Sequence, residues 1–184
     1  MNKIAVVYKS EYGSTDKYAK WISEELCATL IEQSKAKLED LLNYDVIIYG
    51  GGLYASGING VSLITQNFSK LKEKKLIVFT VGLSSTQDEK IFTPVKNHNF
   101  SPEMQLKIKF FHFRGGMDYK KLSFIHKGMM AMLKKSVEKK GIKDDEQKLF
   151  IETYGKSVDF SDKETIAPLI EYVNKLITEE NVNA

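Results

Sequence analysis

The chain has 184 residues, of which 42% are hydrophobic and 28% charged, and a formal net charge of +3. That length suits one well-buried domain and is short for two, and so small an excess of positive charge does not argue for a nucleic-acid partner. One cysteine, Cys27, excludes an intrachain disulfide and any zinc or iron–sulfur centre built from cysteines, and it predicts a reducing, cytoplasmic setting.

Residues 3–8, KIAVVY, predict a fully buried strand, short and apolar on both faces. Residues 15–29 predict a helix, because Tyr18, Ile22 and Leu26 recur every four residues with Ala19 and Cys27 beside them. Cys27 is expected to be packed there, and Trp21 to serve as packing or surface cover. Residues 28–32 suggest a short edge strand. Residues 45–50, DVIIYG, predict a second buried strand, broken by Gly50, Gly51 and Gly52. Residues 60–72 predict a helix with Val61, Ile64, Phe68 and Leu71 on one stripe. Residues 75–81, KLIVFTV, predict a third buried strand ended by Gly82, and polar residues 83–100 follow, read as a helix start and a loop. Ser101 and Pro102 suggest a capped turn before KIKFFHF (107–113), a fourth apolar strand.

Residues 114–155 interrupt this alternation. Leu122, Ile125, Met129, Leu133 and Val137 form a helical stripe, surrounded over 119–143 by eight lysines that only Glu138 offsets. A last helix is expected over roughly 163–178. Ser161 and Glu164 have capping-box spacing, and Pro168 suggests a start nearer Thr165. No apolar run approaches the ~20 residues needed to span a bilayer, and no signal peptide is expected at the N-terminus.

Apolar strands alternating with helices imply a parallel sheet covered on both faces. The expected architecture is α/β: a doubly wound parallel five-stranded sheet in the order 2-1-3-4-5, forming a single domain over 1–184 with a basic helical insertion at about 114–155. In such a sheet the ligand belongs at the carboxyl ends of the strands, beside the first one.

The loop there reads KSEYGST, residues 9–15, and ends where a helix begins. The first amides of a helix lack internal partners, carry partial positive charge and suit a phosphate. Gly13 lets the backbone curl around an anion, while Ser10, Ser14 and Thr15 add hydroxyl donors. No lysine or arginine lies between Ser10 and Asp16, so neutral dipoles must do the binding. The patterns GxxxxGK[ST] and GxGxxG are both absent, which disfavours ATP, GTP and NAD and leaves a monophosphate such as flavin mononucleotide (FMN).

This loop resembles the phosphate loop of the flavodoxin family, roughly T/S-x-T-G-x-T. Ser10, Gly13 and Thr15 match it, and Tyr12 stands where the family has a hydroxyl contact. The resemblance covers about the first 115 residues and the final helix. It makes Ser10, Glu11, Tyr12, Gly13, Ser14 and Thr15 the candidate phosphate site. It assigns Gly52, Leu53, Tyr54, Ala55, Ser56 and Gly57 to one face of the flavin ring, and Val81, Gly82, Leu83 and Ser84 to the other. Physically, Tyr54 can stack on the flat ring at little entropic cost, and the glycines admit backbone groups to its polar edge. No triad or metal constellation competes. His98, His112 and His126 are scattered, with His112 read as a strand histidine and His126 as solvated among lysines.

The segment 113–136 is similar in pattern and position to one in the flavodoxin-like menaquinone-dependent protoporphyrinogen dehydrogenases. That resemblance implies an FMN-dependent oxidoreductase exchanging electrons with a quinone or porphyrinogen, or with a redox partner protein. The basic helix is open to three readings: plain packing on the sheet, a face for an electron partner or a membrane surface, or a lid over the flavin. As a lid it would turn Arg114, Tyr119 and Lys120 toward an acidic substrate. Two further hypotheses stand beside the enzyme. One is a non-enzymatic electron carrier, although such carriers in this family are usually acidic. The other is a binding module without flavin.

Overall fold

The computed structural model describes residues 3–85 and 92–182. Five strands run parallel: β1 (Ile4–Lys9), β2 (Thr29–Glu32), β3 (Val46–Tyr54), β5 (Lys75–Gly82) and β6 (Ile108–Arg114), in the order β2-β1-β3-β5-β6. A two-residue strand, β4 (Gly57–Ile58), folds back antiparallel on β3. Counting the parallel strands alone gives the expected order 2-1-3-4-5. The sheet is in register through its middle: Val6 lies opposite Ile48, and Ile48 opposite Ile77.

Strand residues alternate between two apolar layers. Ala5, Val7, Ile47, Tyr49 and Val78 pack on one face with Ile64, Phe68 and Leu71. Val6, Val46, Ile48, Ile77 and Phe79 pack on the other against α1 (Ser14–Glu25) and α9 (Ala167–Val182), through Tyr18, Ile22, Leu169 and Val173. Each such fully buried side chain contributes roughly 2 kcal/mol of transfer free energy, so the central strands anchor the fold.

Several local expectations are corrected. Gly50, Gly51 and Gly52 do not end their strand: β3 runs through them to Tyr54, because β1 and β5 bond it on either side. Gly50 is a packing glycine, since a Cβ there would overlap the Phe79 ring. Residues 60–72 form two single-turn helices, α3 (Ser62–Thr65) and α4 (Phe68–Leu71), whose buried stripe is the one expected. Asn67 separates them, and its side-chain amide donates to the Leu63 carbonyl at 2.9 Å. Cys27 lies beyond α1 at φ +49° and is exposed, because Leu26 ends the helix.

A short helix, α2 (Leu38–Leu41), leads into β3. Of the reading for 83–100, residues 86–91 lie outside the described residues, and α5 (Thr93–Asn99) follows them. Ser101 caps α6 (Pro102–Lys107) by accepting from the Met104 amide at 3.3 Å. Ahead of α9 lies a 3-10 turn (Lys163–Ile166), and its cap is Asp162, which accepts from Glu164 N–H at 3.0 Å, and not Ser161.

Beyond β6 the chain forms β7 (Gly116–Asp118), α7 (Phe124–Lys140), α8 (Asp145–Thr153) and β8 (Ser157–Asp159), with β7 and β8 paired antiparallel. The stripe expected on α7 is buried only at Val137 and, just ahead of the helix, at Leu122. The rest of it does not pack on the sheet, and part of it roofs a cavity.

Candidate functional site

The cavity lies at the carboxyl ends of β1, β3 and β5 and measures about 670 Å³, within the range of roughly 300–1,000 Å³ usual for small-molecule sites. Three loops and one helix build it. The first loop ends in Gly13, which adopts φ +94° and starts α1 with no side-chain cap. The opening amides of α1 are therefore left without a capping partner. Ser10, Ser14 and Thr15 line the cavity beside them, with Thr15 buried. Ser14 Oγ also accepts from Gly116 N–H at 3.1 Å, which ties this loop to β7.

The second loop is the hairpin between β3 and β4. Its two central residues, Ala55 and Ser56, both have positive φ, at +46° and +72°. Such turns favour asparagine and glycine, so this one stores strain at the cavity rim. Asn99 of α5 holds it in place: its amide donates to the Ser56 carbonyl at 2.6 Å and to the Val95 carbonyl at 2.8 Å, and its oxygen accepts from Ile58 N–H at 3.0 Å.

The third loop, after β5, is held by His112. Its Nδ1 lies 2.7 Å from Thr80 Oγ1, and its Nε2 lies 3.3 Å from the Ser84 carbonyl. A carbonyl only accepts, so Nε2 carries the proton and Nδ1 accepts from the threonine hydroxyl. Burial lowers the ring's pKa to about 4, keeping it neutral; the bond to Ser84 opposes this shift.

The roof is α7. Met129, Met130, Met132 and Leu133 face the cavity, with Met117 and Leu122 beside them. A cluster of rings fastens this helix to the first two loops. Tyr12 Oη lies 2.6 Å from His126 Nδ1 and accepts from Ser123 N–H at 3.3 Å. The His126 ring stacks on Tyr54, with centroids 4.6 Å apart and planes at 13°. Glu11 Oε1 stands 3.6 Å from the same Nδ1. Burial, reinforced by Glu11 and Tyr12, holds the Tyr54 phenol above its ordinary pKa, so it stays protonated.

Of the residues the sequence assigned to the phosphate loop and the two ring faces, all but Glu11, Gly13 and Gly57 line the cavity. Glu11 reaches toward His126, Gly13 shapes the start of α1, and Gly57 begins β4. His126 is not solvated among lysines: it is a half-buried wall of the cavity, because Tyr12 and Tyr54 clasp it. Arg114, Tyr119 and Lys120 do not line the cavity. The Arg114 guanidinium lies 4.2 Å over the Phe160 ring, its Nε donates to the Leu83 carbonyl at 3.0 Å, and it borders a second cavity of about 330 Å³. Tyr119 pairs with Tyr154 Oη at 3.0 Å. Sequence reasoning missed Gly115, Gly116 and Met117 and, although a lid was one of its three readings of the basic helix, assigned no residue of α7 to the site. The one available signal was the methionine content of 129–132.

A family model described as a flavodoxin domain matches residues 5–144, a span that runs into the insertion. An uncharacterized protein of Methanocaldococcus jannaschii is 28% identical over 118 residues, which cover 61% of this chain and 79% of its own. Among solved structures, a WrbA-like flavodoxin from Agrobacterium tumefaciens is 23% identical with a TM-score of 0.41, covering 54% of this chain and 74% of that one. The two-electron reduced flavodoxin of Megasphaera elsdenii is 16% identical with a TM-score of 0.41, covering 59% and 84%. Likenesses at that level carry no statement about activity. The family match covers most of the chain, and the chain belongs to the flavodoxin-domain family, which implies a flavin-binding redox protein.

Proposed function

We propose that this protein is an FMN-dependent oxidoreductase whose second substrate is a flat, uncharged molecule of the quinone type. The observation that carries this reading is the lining of the cavity. It joins the three strand-end loops to the methionine face of α7, and among the described residues it contains no lysine, arginine, aspartate or glutamate.

The residues present fit FMN. Uncapped amides at the start of α1, with Ser10, Ser14 and Thr15, would hold the phosphate. Backbone groups of residues 52–56 and 81–84 would meet the ring system. A flat ring that stacks on Tyr54 does so alongside His126 or in its place. When bound, the flavin supplies the electron transfer, and the protein supplies orientation and electrostatics. The apolar side chains of Met129, Met130 and Leu133 in the roof favour an apolar partner over a charged one.

The same lining weighs against a porphyrinogen inside this cavity. Its carboxylates need cationic partners, and Arg114, the arginine expected to meet them, is instead committed to Phe160 and Leu83. Within the branch resembled, quinone is therefore the better-supported partner. The test is stopped-flow reoxidation of the photoreduced protein. Rapid reaction with a soluble quinone analogue supports the enzyme. Slow reaction with quinone and rapid reaction with a ferredoxin-type protein would return it to the electron carriers. A colourless preparation that takes up no added FMN would overturn the flavin assignment itself.

A further inference from the structure

A flank of α7 beside its cavity-facing side is apolar too, and none of the described residues buries it. Phe124 is 93% exposed and Ile125 75% exposed at the first turn, and Met132, at the cavity rim, is 73% exposed. Gly128 lies on the same line of the helix, one turn from both Phe124 and Met132, with open space where a Cβ would stand. Lys121 precedes this line, and Lys135 and Lys139 continue it. The nearby acids are already engaged: Asp118 lies 3.6 Å from Lys121, and Glu138 lies 3.7 Å from Lys134. Among the described residues no ion pair is formed by Lys135 or Lys139.

We infer that this face of α7 docks on an anionic membrane surface, with Phe124 and Ile125 entering the boundary between headgroups and acyl chains. Charge selects the occupant. Over 119–143 eight lysines face one glutamate, so the complement is strongly anionic, and a second copy of this lysine-rich helix would be repelled. Shape selects it as well. Phe124 and Ile125 protrude, so a rigid partner would need a matching pocket, whereas a bilayer conforms to them. No helix among the described residues is long and apolar enough to cross a membrane, so the contact is with the surface. Docking would bring the cavity rim at Met132 to the lipid. The inference rests on this surface alone and stands or falls separately from the flavin reading.

The test is co-sedimentation of the full chain, as purified, with vesicles of phosphatidylcholine mixed with phosphatidylglycerol and with vesicles of phosphatidylcholine alone. Binding is expected to the anionic vesicles only and is expected to fall with salt. Lys135→Gln and Lys139→Gln should each weaken it roughly fivefold. Phe124→Ser combined with Ile125→Ser should weaken it about tenfold or more at unchanged charge and unchanged circular dichroism. In a separate arm, Phe124→Trp should be quenched by brominated acyl chains. Three results would overturn the inference: no binding to anionic vesicles at low salt, whatever acidic proteins the chain binds instead; a double serine variant that binds as tightly as its parent; or a tryptophan at 124 that brominated lipid leaves unquenched.

Discussion

Tyr12 Oη lies 2.6 Å from His126 Nδ1, joining the loop after the first strand to a helix 114 residues away. This bond, with the Ser123 amide on the same hydroxyl and Tyr54 stacked on the imidazole, forms the clasp that closes α7 over the cavity. Removing the hydroxyl keeps the rings and deletes two bonds. Tyr12→Phe is expected to speed hydrogen exchange in the first turns of α7 while leaving exchange in β1 and β3 unchanged. At about 1 kcal/mol per bond, losing the two should shift the opening equilibrium by roughly thirtyfold. Unchanged protection of α7 would mean the clasp does not hold the roof.

Thr15 tests the phosphate assignment. It is buried, lines the cavity and lies in the first turn of α1. Thr15→Val keeps the shape and removes the hydroxyl. A lost hydrogen bond to a charged group is worth about 1.5–3 kcal/mol, so the affinity for FMN should fall by tenfold or more. Titration followed by flavin fluorescence reads this, and equal affinity would remove Thr15 from the phosphate site.

His112 makes a prediction about pH. Its folded pKa, lowered by burial to about 4, lies below the ordinary value of 6.5. The unfolded chain therefore binds the proton more readily. The contribution of a neutral His112 is complete above pH 6.5, declines as pH falls toward 4, and is constant below that. The full swing is roughly 3 kcal/mol. Denaturation across that range should show the parent losing more stability than His112→Gln, which cannot be protonated there. Parallel curves would show that the ring charges freely in the folded protein.

Asn99 supports the strained hairpin from outside the cavity lining. Its three hydrogen bonds reach Ser56, Val95 and Ile58. Asn99→Ala leaves those backbone groups without their partner and is expected to cost about 2–3 kcal/mol in chemical denaturation. Because Ala55 and Ser56 have positive φ without glycine's freedom, the hairpin should relax, and FMN affinity should fall together with stability. A stable variant with normal flavin binding would show that the turn supports itself.

The sequence alone determined the sheet and its order. Buried parallel strands are continuous apolar runs, and local alternation with helices leaves few topologies. The strand-end loops were legible for the same reason: in such a sheet the ligand edge follows from the chain order. Tertiary structure alone decided what closes the site. The apolar spacing of α7 marks a helix, and spacing cannot say which face meets the sheet, a cavity or solvent. His126 acquired its place only when Tyr12 and Tyr54 came beside it, and no local pattern encodes a contact across 114 residues. The glycines at 50–52 show the same limit: alone they suggest a break, and between two bonded neighbours they extend a strand.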